Sequence, residues 1–110
     1  MKLPEEGHLL RIYIGESDRH QGKALYEAIV IKARELNLAG ATVLKGMMGY
    51  GADSRIHTAK LLELSEDLPI VVEIVDNEDN INKLLPFLDE VVTEGLITLE
   101  KVKVIKYRHS

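Results

Sequence analysis

The sequence predicts an α+β domain of the ferredoxin-like βαββαβ kind: a four-stranded antiparallel sheet, two helices on one face, and a long loop between strands two and three. Three observations lead there. Residues 9–15 alternate apolar and polar side chains with the period of a half-buried strand, Lys101–Val104 alternate within 96–107, and 69–76 set Ile70, Val72 and Ile74 on one face with Val71, Glu73 and Val75 on the other. Two other stretches, 23–37 and the residues after Asn77, carry apolar side chains at helical spacing. The resulting order is strand, helix, strand, strand, helix, strand, which two right-handed crossovers close into one sheet.

The first strand rests on Leu10, Ile12 and Ile14 alternating with Arg11 and Tyr13. A polar turn from Gly15 to Gly22 follows, with Ser17 and Asp18 as candidate helix caps. In the first helix Leu25, Ala28, Ile29, Ala33 and Leu36 form one stripe, and Gly40 suits a left-handed or close-approach position beyond its end. Residues 41–48 read as the second strand. In the third, 69–76, Ile70, Val72 and Ile74 share one face. Asp76-Asn77 caps the second helix, whose stripe is Ile81, Leu84, Leu85, Leu88 and Val91, with a kink expected at Pro86. Thr93-Glu94-Gly95 closes it, and residues 96–107 form the last strand. The helices are expected to cover Leu10, Ile12, Ile14, Val72 or Val71, Val102 and Val104. Arg11, Tyr13, Glu73 and Lys103 then occupy the opposite face, where unlike charges pair across strands. That face is either solvated or meets symmetry mates in an oligomer.

At 110 residues, 45% hydrophobic and 29% charged, the expectation is one domain spanning 1–110. The absence of cysteine excludes a disulfide framework, a zinc ribbon and thiol chemistry. The longest apolar runs fall well short of the roughly 20 residues a membrane helix needs, and residues 1–8 have no apolar signal core. Cytoplasmic residence is therefore expected. A net charge of −4 and 5% aromatic residues argue against a nucleic-acid partner.

About 20 residues separate strands two and three where a hairpin needs two to five. The loop carries Ile56, Leu61, Leu62, Leu64 and Leu68, and its base reads Lys45-Gly46-Met47-Met48-Gly49-Tyr50-Gly51. Glycines let backbone N–H groups approach an anion, with Lys45 and Arg55 to balance its charge. Three glycines in six residues are more often simply a bend.

Leu10-Arg11-Ile12-Tyr13-Ile14-Gly15-Glu16, Leu38-Ala39-Gly40-Ala41-Thr42-Val43, Gly46-Met47-Met48-Gly49-Tyr50-Gly51, Ile56-His57-Thr58 and Val72-Glu73-Ile74-Val75-Asp76 together resemble a bacterial and archaeal family, once catalogued only as a domain of unknown function, within the PII-like signalling proteins. The resemblance covers nearly the whole chain. It implies a homotrimer that binds ADP or ATP in clefts between subunits and signals through the long loop, here 49–68. Gly40 and Thr42 resemble the residues that meet the adenine from a neighbouring subunit. Lys45 and Gly46 resemble the nucleotide-touching start of the signalling loop, with Gly49, Gly51 and Arg55 following in that loop. Lys101 stands where PII proteins keep a phosphate-contacting lysine. Thr98 and Glu100 replace glycines of the second phosphate-binding loop, so that loop is expected to be plain strand, and Arg108 is the relic of a C-terminal arginine pair. The target protein is unknown, with a membrane transporter or channel as the expectation.

Other chemistry finds less to stand on. Glu16 and Asp18 read as turn and cap residues rather than catalytic carboxylates, so no enzyme is expected. His8, His20, His57 and His109 lack ligand spacing, so no metal site is assigned, with His57 the one to test. Met47 and Met48 suit a subunit contact or an adenine ring. The alternative function is a trimeric structural or divalent-cation-responsive protein without a nucleotide site.

Overall fold

A computed structural model describes residues 6–50, the backbone of 57–58, and 67–108. Four strands, β1 (Glu6–Gly15), β4 (Thr42–Lys45), β7 (Pro69–Asp76) and β8 (Leu96–Lys103), form one sheet in the order β4-β7-β1-β8. Every neighbouring pair is antiparallel. Helices α1 (Leu25–Glu35) and α2 (Glu78–Val91) pack against it. Two further pairs of two-residue strands, β2 (Arg19–His20) with β3 (Lys23–Ala24) and β5 (Met48–Gly49) with β6 (His57–Thr58), decorate this frame. The predicted architecture is the one observed.

The core is the convergence of three apolar patterns. Leu10, Ile12 and Ile14 of β1 stand opposite Ile74, Val72 and Ile70 of β7. Leu25, Ile29 and Ala33 of α1, and Ile81, Leu84, Leu88 and Val91 of α2, close over them, all buried. Fully burying a Leu or Ile side chain contributes about 1.5–3 kcal/mol, so these stripes decide which sheet face the helices cover. Asn77 caps α2 as expected, accepting from the Asn80 N–H at 2.8 Å. The helix continues through Pro86.

Several local expectations are corrected. Ser17 and Asp18 do not cap α1 with their side chains. The β2–β3 hairpin intervenes, turning through Gln21 (φ 50°) and Gly22 (φ 82°), and α1 has Ala24 at its N-cap without a side-chain bond. Asp18 instead ties the turn, its carboxylate accepting from Gly15 N–H at 3.0 Å and its carbonyl from Leu25 N–H at 2.7 Å. The left-handed residue after α1 is Asn37 (φ 62°), not Gly40; Leu38 N–H bonds back to Ala33 O at 3.0 Å across it. The second strand stops at Lys45 rather than 48. Gly46 N–H turns to Pro69 O at 2.7 Å, and a Cβ on Gly46 would meet the Pro69 ring at 2.7 Å. Proline offers no N–H to carry the ladder further.

The last strand ends at Lys103, paired with Glu6, rather than at 107. Its phase also differs. Ile97 and Leu99 stand opposite Ile12 and Leu10 on the helix side, and Lys103 opposite Glu6 lies there too. Val102, opposite Gly7, faces away from the helices together with Val104, whose methyl would be 3.1 Å from a Cβ on Gly7. The alternation at Lys101–Val104 is real, but antiparallel register with β1 sets which parity points inward. Arg11, Tyr13 and Glu73 do occupy the open face, as expected.

Candidate functional site

The open sheet face combines a charged centre with an apolar surround. Arg11 Nε donates to Glu73 at 3.0 Å and Nη1 to Glu100 at 2.8 Å, so β1 is bridged to both neighbours. The Glu73 hydrogen bond, then the charges of Glu100 and Glu73, hold the guanidinium pKa above its ordinary value against the opposing effect of partial desolvation. Around this cluster Tyr13, Leu44 and Leu96 are exposed. Glu100 has thus become a structural acceptor for Arg11, and the segment holding Thr98 and Glu100 is plain strand.

At one end of this face lies a cleft of about 770 Å³. Leu9, Val75 and Val102 give it an apolar floor, Glu73 a carboxylate, and Ala39, Gly40 and Thr42 one wall. The wall is held from below. Asp76, buried at 0% exposure, accepts from Ala39 N–H at 2.7 Å, Asn77 N–H at 2.7 Å and the Asn80 side-chain amide at 3.0 Å. One carboxylate therefore fixes the α1–β4 loop to the start of α2. Opposite the wall runs the segment after β8, whose Tyr107 hydroxyl donates to Ala39 O at 3.2 Å.

The sequence-predicted residues divide into groups. Gly40 and Thr42 come together in the cleft. Lys45 lies at the opposite end of β4, on the helix side beside Ile70, where its ammonium pairs with Glu16 at 2.7 Å. Gly46 and Gly49 rest on the Pro69 ring, which a Cβ would meet at 2.7 Å and 3.1 Å respectively, and the Gly46 amide is already bonded to Pro69 O. Lys101 sits on β8, the other edge of the sheet, exposed and 3.9 Å from Glu6. Gly51 and Arg55 lie outside the described residues, as does the side chain of His57. Beside the loop base Met47, Met48 and Tyr50 are strongly exposed. Among the described residues no group of three or more His, Asp or Glu side chains is placed to hold a metal ion, and no helix is long and apolar enough to cross a membrane.

Sequence reasoning missed three members of this region. Asp76 was visible only as a cap, since its bond to Ala39 spans 37 positions. Glu16 as the partner of Lys45 and Tyr107 as the partner of Ala39 depend on contacts that no local pattern encodes.

Known proteins resemble this arrangement at two levels. The chain is 43% identical over 99 residues to a UPF0166 protein of Aquifex aeolicus, covering 88% of this chain and 91% of that one. It is 38% identical over 99 residues to a UPF0166 protein of Methanocaldococcus jannaschii, with 89% and 91% covered. In three dimensions it is similar to CPII of Thiomonas intermedia bound to ADP and bicarbonate (TM-score 0.66, 16% identity, 92% of this chain and 90% of that chain). CPII with ADP, AMP and bicarbonate, named a nitrogen regulatory PII-like protein, gives a TM-score of 0.63 at 17% identity with the same coverage. At those identities the likeness establishes a shared PII-like fold. The family model of DUF190, an "Uncharacterized ACR", matches residues 7–104, and the chain belongs to that family.

Proposed function

We propose that this chain is a PII-like regulatory protein: a cytoplasmic homotrimer of single 1–110 domains that binds ADP or ATP between subunits and signals through the 49–68 loop. It acts by binding rather than by catalysis. The observation that carries this reading is the division of its anion-binding and base-binding candidates. Gly40, Thr42 and Lys45 lie on edge strand β4 and its approach, while Lys101 lies on edge strand β8, with β7 and β1 between them. Within one copy Lys45 and Lys101 lie on opposite edges of the sheet, and a neighbouring copy can bring such edges together. CPII, which shares the fold, is bound to ADP.

The chemistry at each half is suited to that role. The cleft offers apolar floor residues for a planar base and Glu73 as an acceptor for an amino group, at a place where a carboxylate disfavours phosphate. Lys45 and Lys101 each carry a carboxylate partner at an exposed site, and such surface pairs are weak enough for a phosphate to displace. Drawing Lys45 away from Glu16 alters the base of the loop, where Met47, Met48 and Tyr50 are displayed. Nucleotide thus biases the loop between two states by binding one better, and the loop in turn meets a target protein, for which a membrane transporter or channel is our candidate.

The test is a thermal melt against AMP, ADP, ATP and cyclic nucleotides, with mass measured in solution. A ligand at 100 times its Kd stabilises by about 2.7 kcal/mol, a shift of several degrees. We expect ADP or ATP to produce it on a trimer. A monomer, or no shift from any nucleotide at millimolar concentration, overturns the proposal.

A further inference from the structure

We propose that Lys23, His20 and Lys32, gathered around the ring of Phe87, form a docking site for an acidic peptide segment of a partner protein. The β2–β3 hairpin, an addition to the minimal βαββαβ order, supplies two of the three. Its register sets His20 opposite Lys23, so both side chains leave the same face of the ribbon. That face meets α2, where the His20 ring stands edge-on to Phe87 with centroids 5.7 Å apart and planes at 87°. From α1, the Lys32 ammonium lies 5.6 Å from the centre of the same ring.

The cluster lacks a carboxylate of its own. Among the described residues Arg11, Lys45 and Lys101 are ion-paired, whereas neither Lys23 nor Lys32 is, in a chain whose net charge is −4. Cations held together repel one another, and an anion placed among them relieves that repulsion. Lys32 is half-buried beside the ring, so part of its side-chain freedom is lost before any partner arrives. The rest of the surface selects the class of partner. A nucleic acid or an anionic membrane would meet the chain's net negative charge over most of its footprint. A short acidic segment meets the cluster alone, and its apolar neighbours have the half-buried Phe87 ring to rest beside. The turn that leads into the hairpin also anchors both ends of the long loop: Glu16 pairs with Lys45 at 2.7 Å, and Ser17 N–H donates to Asp67 at 2.9 Å. A partner engaged by the loop therefore finds the hairpin next to the loop's anchorage. That the segment belongs to the loop's target rests on the function proposed above, whereas the docking site itself does not.

The test is fluorescence anisotropy of a fluorescein-labelled peptide of alternating Glu and Leu, with Gln in place of Glu as the neutral control, on the full chain without nucleotide. We expect the Glu peptide to bind and the Gln peptide not to. Lys32→Gln should weaken binding about two- to fivefold, and Lys23→Gln combined with Lys32→Gln about tenfold, the losses of one and of two exposed charge pairs. Arg34→Gln makes the same change of charge on the opposite side of α1 from Lys32 and should leave binding unaltered. Absence of binding by the Glu peptide, equal binding of the Gln peptide, or equal weakening by Arg34→Gln overturns the site. Displacement of the peptide by inorganic phosphate at matched charge also overturns it, assigning the cluster to a small anion. Preference for phosphatidylserine vesicles over the peptide overturns it in favour of a membrane. No nucleotide is present, so a failure of ADP to bind leaves the result of this assay unaltered.

Discussion

Two residues, Asp76 and Gly46, show how far one side chain, or its absence, organises the site. Asp76 has no solvent exposure and three N–H donors, and these join the Ala39 backbone to the start of α2. Removing the carboxylate takes one acceptor from each of these part-buried donors, each loss costing on the order of 1–3 kcal/mol if water does not replace it. Asp76→Ala is therefore expected to lower stability by about 2–4 kcal/mol in urea unfolding. Asp76→Asn should recover only part, because its NH₂ replaces an acceptor with a donor. A loss below about 1 kcal/mol for the alanine variant would show that the Ala39 backbone is not held this way. Gly46 poses a different question, since its Cβ would stand 2.7 Å from the rigid Pro69 ring. Gly46→Ala should cost about 1–3 kcal/mol by overpacking, and Pro69→Ala in the same chain should restore most of it. The double variant separates two roles for the glycine. Restored folding with a normal ADP-induced melting shift assigns Gly46 to packing alone, whereas a lost shift assigns it to the ligand as well.

Among the elements, helices were far more legible than strand ends. The α1 and α2 stripes name the buried residues almost one for one, because a helix's inward face is fixed by its own sequence. A strand's inward face also depends on a partner. For β8 the valines at 102 and 104 alternate correctly, yet pairing of Leu10 with Leu99 turns them to the open face. The end of α1 shows the same dependence at a smaller scale. Glycine is the usual left-handed residue, so Gly40 drew attention, but the helix ends earlier and Asn37 holds φ 62°. Asn37→Gly is expected to be neutral or to add up to about 1 kcal/mol. Asn37→Val should cost about 1–2 kcal/mol, because a β-branched side chain is strained in that region. Thermal melts of the pair should bracket the wild type; a valine variant as stable as the parent would mean that α1 terminates elsewhere in solution.

For the whole molecule, the candidate residues were legible as a set of positions and illegible as a geometry. Resemblance singled out Gly40, Thr42, Lys45 and Lys101, but a sequence cannot say that β4 and β8 become opposite edges. On the function proposed above, that separation makes the site depend on assembly, and the open face is the surface we propose for it. Leu44, Tyr13 and Leu96 are 48%, 38% and 56% exposed there, flanking the ion-paired Arg11 cluster. Contiguous apolar surface around satisfied charges is the composition of an interface centre, where unpaired charges are excluded. Leu44→Asp places an unpaired carboxylate on this face without touching the core, since Leu44 stands opposite Val71 on the side away from the helices. Burying that charge in a subunit contact costs several kcal/mol, whereas leaving it in water costs nothing comparable. The variant should therefore be a folded monomer, with unchanged circular dichroism, about a third of the parent's mass by light scattering, and no melting response to ADP. A Leu44→Asp protein that stays assembled moves the interface to another surface. One that is monomeric yet still stabilised by ADP would show that a single chain completes the site, and the division of half-sites between copies would then have to be abandoned.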